Sequence, residues 1–260
     1  MKRIINDIKK YGAYTVYAAK SQLKAEVANS KLNWIWWILE PFCYMLVYSL
    51  VFGVIFNASE PHHGLFIFVG LTVWQLFSRV VKRSVTIVKR NRHTIGKVYM
   101  PKYMLIIQEI LVESFKMSIC LAISLLLVLY YKVGVTPYIL WIIPLLGVMA
   151  LMTFGIGCFM LHFGVGLEDL STITDILLRL LVYFVGVYFS VPNRIPEPFS
   201  SYLIRWNPVT FFVVSARKIM IYHEAVDYAG LLYWFVLSLV LAYAGIQLIY
   251  KNENSYIKVI

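Results

Sequence analysis

The feature that most constrains this chain is a basic block wedged between apolar runs of membrane length. Residues 79–102 read RVVKRSVTIVKRNRHTIGKVYMPK, with eight Lys or Arg (Arg79, Lys82, Arg83, Lys89, Arg90, Arg92, Lys97, Lys102) and no Asp or Glu. A block this basic beside apolar spans is held on the cytoplasmic side of a bilayer, so it orients everything before and after it. Of the 260 residues, 60% are hydrophobic and 14% charged, where a soluble domain carries about a quarter charged residues. The expected fold class is an all-α polytopic membrane protein. The net charge of +11 is assigned to topology and anionic lipid headgroups, with no nucleic-acid partner, because the basic residues stand next to apolar runs.

Apolar runs and breaker residues divide the chain into six expected transmembrane helices, at about 34–56, 65–83, 103–131, 137–163, 171–191 and 229–250, with both termini cytoplasmic. Residues 34–250 form one transmembrane domain, preceded by an interfacial segment (1–33) and followed by a cytoplasmic tail (251–260). In the first segment Ile4, Ile5, Ile8 and Tyr11 alternate with Lys2, Arg3, Lys9 and Lys10 at helical spacing. That pattern predicts an amphipathic helix lying in the headgroup plane. It lacks the apolar core of a signal peptide, so the first span is expected to act as the insertion signal.

The first span opens on Trp34, Trp36 and Trp37, and Glu40-Pro41 predicts a kink or helix restart. Glu40 is expected to face protein or water. The purely apolar part of the second span, 65–77, covers only about 20 Å, so the helix must continue through Val80 and Val81. Arg79, Lys82 and Arg83 then reach the inner interface, with charge as their whole expected role. Glu109, Glu113 and Lys116 share one face at the start of the third span, and Asp175 and Arg179 form an expected i, i+4 pair. Between spans five and six, four prolines forbid a single helix. Two short outer helices, 199–206 and 210–221, are expected to dip into the interface as re-entrant segments.

No motif for catalysis is present. There is no nucleotide-binding P-loop, no H-E-x-x-H and no G-x-S-x-G. No catalytic residue, metal ligand or bound cofactor is expected. Cys43, Cys120 and Cys158 lie in apolar runs, where neither a disulfide nor structural zinc is expected, and His62 and His63 are expected to be solvated.

Four stretches carry a family resemblance. LNWIWWILEPFCYMLVYSLVFGVIF (residues 32–56), GLTVWQLFSR (70–79), NRHTIGKVYMP (91–101) and RWNPVTFFVVSARKIM (205–220) resemble, in order, parts of the permease subunits of ABC-2 type polysaccharide exporters. That family includes O-antigen, capsular polysaccharide and teichoic acid export permeases. The chain departs from the family's pattern at Glu168-Asp169, where Arg-Asp is common, and at Met100, where phenylalanine is common. The resemblance implies a homodimer that pairs with two copies of a separate ATPase subunit, which binds ATP and Mg. It places a cytoplasmic coupling helix at 91–101, with Asn91, Ile95, Lys97, Val98, Tyr99 and Pro101 docking the ATPase. It places the first and fifth spans along a channel for a lipid-linked polysaccharide in the bacterial cytoplasmic (inner) membrane.

Aromatic faces suit such a channel, because sugars present flat C–H faces and a sliding polymer needs weak repeated contacts. Tyr44, Tyr48, Tyr183, Phe184, Tyr188 and Phe189 are the expected lining, with Trp206, Asn207 and Pro208 in an outer gate segment. The same aromatic pattern also fits packing or headgroup contact. An ABC-2 permease for a drug or small lipid, and a non-transporting membrane enzyme or scaffold, remain the alternative readings.

Overall fold

The computed structural model describes residues 2–28, 33–55, 60–96, 99–253 and 256, and every regular element among them is helical. The chain begins with α1 (Lys2–Ala28) and α2 (Asn33–Tyr48), which passes into a π-helical stretch, Ser49–Ile55. Next come α3 (His63–Arg90) and the single turn α4 (Arg92–Ile95). α5 (Tyr103–Tyr130) is followed by a 3-10 turn, Pro137–Trp141, and α6 (Ile142–Gly166). The order ends with α7 (Leu170–Phe184), α8 (Val191–Arg194), α9 (Phe199–Trp206), α10 (Pro208–Arg217) with a π-helical extension (Lys218–Tyr222), and α11 (Tyr228–Lys251).

Five stretches are long and apolar enough to cross a membrane: Trp34–Gly53, His63–Arg90, Tyr103–Tyr130, Pro137–Gly166 and Tyr228–Lys251. They coincide with the first, second, third, fourth and sixth expected spans. The stretch expected as the fifth, 171–191, is helical only as α7, whose 15 residues reach about 22 Å against a hydrocarbon core of ~30 Å. The helix stops because the chain turns at Gly186, whose φ of +74° lies in the left-handed region. The second span is longer than expected, because α3 continues through the basic block to Arg90.

The restart expected at Glu40-Pro41 does not occur, and α2 runs through Pro41. Proline leaves the carbonyl four residues earlier without its helical donor. That carbonyl, Trp37 O, accepts a hydrogen bond from the Cys120 thiol of α5 at 3.6 Å. A side chain on a neighbouring helix thus supplies what Pro41 removes.

α3 is the central helix. It is buried over most of its length, whereas α2 is buried over little of it. It packs on α2, α5, α6, α7 and α10, and α6 in turn packs on α11. One large apolar core surrounds the first half of α3. A second, at the end bearing the basic block, joins the end of α3 to the start of α5, the end of α6 and the end of α11. Small residues let the backbones close up where lipid offers no hydrophobic drive for helix association. A Cβ added at Gly164 of α6 would sit 2.1 Å from Val85 O of α3, whereas one at Gly147 would meet nothing within 4 Å.

Gly164→Ala is therefore expected to destabilise the protein by about 1–3 kcal/mol through overpacking, and Gly147→Ala to change stability by less than about 0.5 kcal/mol. Thermal unfolding of the two detergent-solubilised variants separates them, and equal melting temperatures would contradict the close α3–α6 contact.

Candidate functional site

The basic face of α3 meets acids from four other helices. Arg79 donates through Nη2 to Glu40 Oε2 of α2 at 2.8 Å, and its Nη1 lies 3.5 Å from Glu113 Oε2 of α5. Arg83 Nη1 lies 3.0 Å from Glu109 Oε2 and 2.8 Å from Glu113 Oε1, and Arg90 pairs with Glu109. Lys116 of α5 joins Glu26 of α1 at 2.8 Å to Glu113 at 3.2 Å. Glu109, Glu113 and Lys116 are buried, and buried charges persist only when matched. Four carboxylates (Glu26, Glu40, Glu109, Glu113) here face four cations (Arg79, Arg83, Arg90, Lys116), so the cluster is neutral.

Two expectations are corrected by this cluster. Arg79, Lys82 and Arg83 do more than reach the interface, because each has an acidic partner; that of Lys82 is Asp175 Oδ2 of α7 at 2.9 Å. Asp175 therefore pairs across helices and not with Arg179. An i, i+4 pair on one helix is worth only a few tenths of a kcal/mol, which a nearby cation on another helix can outweigh.

α2, α3 and α7 enclose an open groove of about 610 Å³. Aromatic rings form one end of it. Tyr44 stacks on Tyr48 with centroids 6.1 Å apart, Tyr48 lies 3.9 Å from Tyr188, and Tyr183 lies 5.7 Å from Tyr188. Phe52 extends the ladder, stacking on Tyr188 at 5.6 Å. Leu71 and Trp74 of α3 contribute the floor. The other end holds Glu40, Arg79, Lys82, Asp175 and Arg179. One groove thus passes from ring faces to formal charges.

Four of the six expected aromatics, Tyr44, Tyr48, Tyr183 and Tyr188, come together in this groove. Phe184 is exposed at the end of α7 and lies outside the groove's lining, while Phe189 packs on the large core. The chain turns at Gly186, beyond which the helical period no longer applies, and of Tyr188 and Phe189 only Tyr188 lines the groove. Phe52 was not among the expected residues, although its i+4 spacing from Tyr48 was the available signal.

In the expected coupling segment, Asn91 ends α3; its backbone N–H bonds to Ile87 O and Val88 O, and its side-chain amide donates to Ile87 O at 2.8 Å. Ile95 closes the single turn α4 and packs on the core at the basic end. Tyr99 is exposed, and its hydroxyl donates to Glu253 Oε2 at 3.0 Å. Partial desolvation of the hydroxyl and its hydrogen bond to the Glu253 carboxylate raise the Tyr99 pKa above its ordinary value, which keeps that proton in place. Pro101 is buried, and its carbonyl accepts from Met104 N at the start of α5. Asn91 and Pro101 thus mark where the helices stop and start. Lys97 and Val98 lie outside the described residues.

At the opposite end of the bundle, Asn207 caps α10, its side chain accepting from Val209 N at 3.1 Å and Thr210 N at 3.5 Å, with Pro208 as the first helical residue. Trp206 is exposed on a second groove of about 810 Å³ with Tyr202, Tyr233 and Trp234. Of the two adjacent histidines, His62 is exposed, but the ring nitrogens of His63 are buried and its ring stacks on Phe66.

Arg217, at the end of α10, was not anticipated. Its Nε donates to Phe66 O at 3.1 Å, Nη1 to Gly186 O at 2.8 Å and Nη2 to Val187 O at 2.6 Å, with the guanidinium 3.5 Å from the centroid of the Phe66 ring. One side chain therefore fixes α10 to the start of α3 and to the turn after α7. The signal was an arginine directly behind the apolar run FFVVSA, a placement that calls for a buried partner.

The family model for the ABC-2 type transporter matches residues 15–221, which include α2, α3, α7, the groove between them and the Arg217 clamp. The chain belongs to the ABC-2 type transporter family. Similar curated proteins match over nearly their full length. The O-antigen export system permease protein RfbA of Myxococcus xanthus is 25% identical over 260 residues, 98% of each chain. RfbA of Klebsiella pneumoniae is 21% identical over 248 residues, 94% of each chain. The polysialic acid transport protein KpsM of Escherichia coli is 24% identical over 243 residues, 90% of this chain and 91% of KpsM. The resemblance carried by the four sequence stretches is thus to the right family.

Arg217→Met leaves the buried Gly186 and Val187 carbonyls without this donor, takes a second donor from the helical Phe66 carbonyl, and is expected to lower stability by about 3 kcal/mol. Arg217→Lys is expected to recover little of it, because a single ammonium cannot span carbonyls on two separate segments. Thermal unfolding in detergent measures both, and a wild-type melting temperature for Arg217→Met would contradict the clamp.

Proposed function

We propose that this ABC-2 chain is the membrane subunit of an ATP-driven exporter of a lipid-linked polysaccharide, with O-antigen or capsule as the substrate class. The observation that carries this reading is the ladder of ring faces in the groove between α2 and α7. Tyrosine rings offer broad weak contacts to the C–H faces of successive sugars, which suits a polymer that must slide. The printed names of its relatives, O-antigen export and polysialic acid transport, support the same substrate class.

In this reading the working unit contains two copies of the chain. α2 leaves Trp36, Leu39 and Val47 exposed, and α7 leaves Ile176, Leu177 and Leu180 exposed. A second copy covers these apolar faces and turns two open grooves into a closed channel. α7 serves as the fifth of six spans, with the chain from 185 to 222 filling the remaining depth as re-entrant outer structure. The basic block and both termini face the cytoplasm of a bacterial cell, and α1 lies at that interface. ATP and Mg are bound by a separate ATPase subunit, present in two copies, that docks on residues 91–101.

Tyr44→Ala combined with Tyr48→Ala is expected to slow export by about threefold or more while the permease still assembles with its ATPase. Polymer transfer into the lumen of proteoliposomes, measured beside size-exclusion chromatography of the complex, tests this. Wild-type transfer by the double variant would return these rings to a packing role.

A further inference from the structure

α1 and the described residues after α11 converge on the root of α5. Lys102, the residue before α5, is buried, and its Nζ lies 3.5 Å from Glu253 Oε1, beyond the end of α11. Glu253 is also buried and accepts from Tyr99 through Oε2. Arg3 of α1 closes the group, 3.6 Å from Glu253 Oε2 and 3.5 Å from the Tyr99 hydroxyl, with its guanidinium 4.1 Å from the centroid of the Tyr250 ring. One turn deeper, Asp7 of α1 accepts from both Tyr103 and Tyr250. Tyr256, almost fully buried, shares a hydrogen bond of 2.9 Å with His162 Nδ1 of α6.

We propose that Glu253 is a positioning residue for the coupling segment: through Tyr99 and Lys102 it fixes where residues 91–101 enter α5, so that α1 and the C-terminal segment close a latch on that junction. This inference rests on the reading of residues 91–101 as the ATPase-docking segment. The physical reason is charge matching at the root of a lever. A buried ammonium requires a carboxylate, and among the described residues Glu253 is the only acid paired with Lys102. Held there, α5 moves with the docking segment. α5 also carries Glu109 and Glu113, which bind Arg83 and, through Glu113, Arg79, and Arg79 lines the charged end of the groove. If the junction goes slack, displacement of the docking segment is absorbed by local opening and does not reach the groove.

The test uses the full permease–ATPase complex in lipid nanodiscs, with two readouts. Hydrogen exchange at backbone amides 99–105 reports the latch. The stimulation of ATP hydrolysis on adding the permease to its ATPase subunit reports coupling. Glu253→Gln is expected to raise exchange at these amides by about fivefold and to lower the stimulation. Glu253→Asp is expected to restore part of both, and Lys251→Ala, two residues away on an exposed site, to change neither. Should Glu253→Gln fail to fold, Tyr99→Phe removes a single hydroxyl at an exposed position and is expected to raise exchange by about twofold. Wild-type exchange in both variants overturns the latch. Arg92→Ala with Lys97→Ala probes docking through the charges of the docking segment itself. If that pair lowers stimulation while Glu253→Gln does not, docking stands and the positioning role is wrong; if neither lowers it, the docking reading fails and the inference with it.

Discussion

Charge matching on α3 is the constraint from which the architecture follows. A helix long enough to cross a bilayer carries Arg79, Lys82, Arg83 and Arg90 along its final three turns, and each of these charges needs a partner or water. The partners come from different helices: Glu26 on α1, Glu40 on α2, Glu109 and Glu113 on α5, Asp175 on α7. Ion pairs of this kind add little net stability, because desolvation offsets their attraction. Removing a partner of the buried Glu109 or Glu113, however, costs about 3–5 kcal/mol, whereas the more exposed pairs of Glu40 and Asp175 weigh less. They therefore act as addresses, penalising every arrangement in which α1, α2, α5 and α7 do not surround the end of α3.

That address system also shapes the groove. With α2 tied to α3 through Glu40–Arg79 and α7 tied through Asp175–Lys82, the two helices stand apart on either side of α3, and the space between them is the groove. Arg217 performs the same service at the other end. It holds the turn at Gly186 by its carbonyls, and that turn delivers Tyr188 to the ring ladder. Charges at one end and a buried cation at the other thus set the width of a path lined by aromatic faces, in keeping with membership in a transporter family.

Much of this was legible in the sequence because membrane helices obey a length rule. Four of the five apolar stretches end within a few residues of the runs that announced them, α3 alone running on to Arg90, and where short helices were expected at 199–206 and 210–221 the chain forms Phe199–Trp206 and Pro208–Arg217. What escaped was decided by contacts between helices. The stop of α7 at Phe184 depends on a left-handed glycine and on Arg217 from a segment about 30 residues later. The smooth passage of α2 through Pro41 depends on the Cys120 thiol. Tyr44 and Tyr48 were identified by their shared helical face, but the placement of Phe189 assumed a helix that had already ended.

On the proposed function, a polymer runs along the ring ladder between α2 and α7. The most direct test places a photo-crosslinking amino acid at position 48, or at Leu126 on the exposed face of α5, and illuminates the assembled transporter during export. Glycan adducts are expected at position 48 and none at 126. Lipid adducts alone at position 48, or glycan adducts at both positions alike, would contradict it.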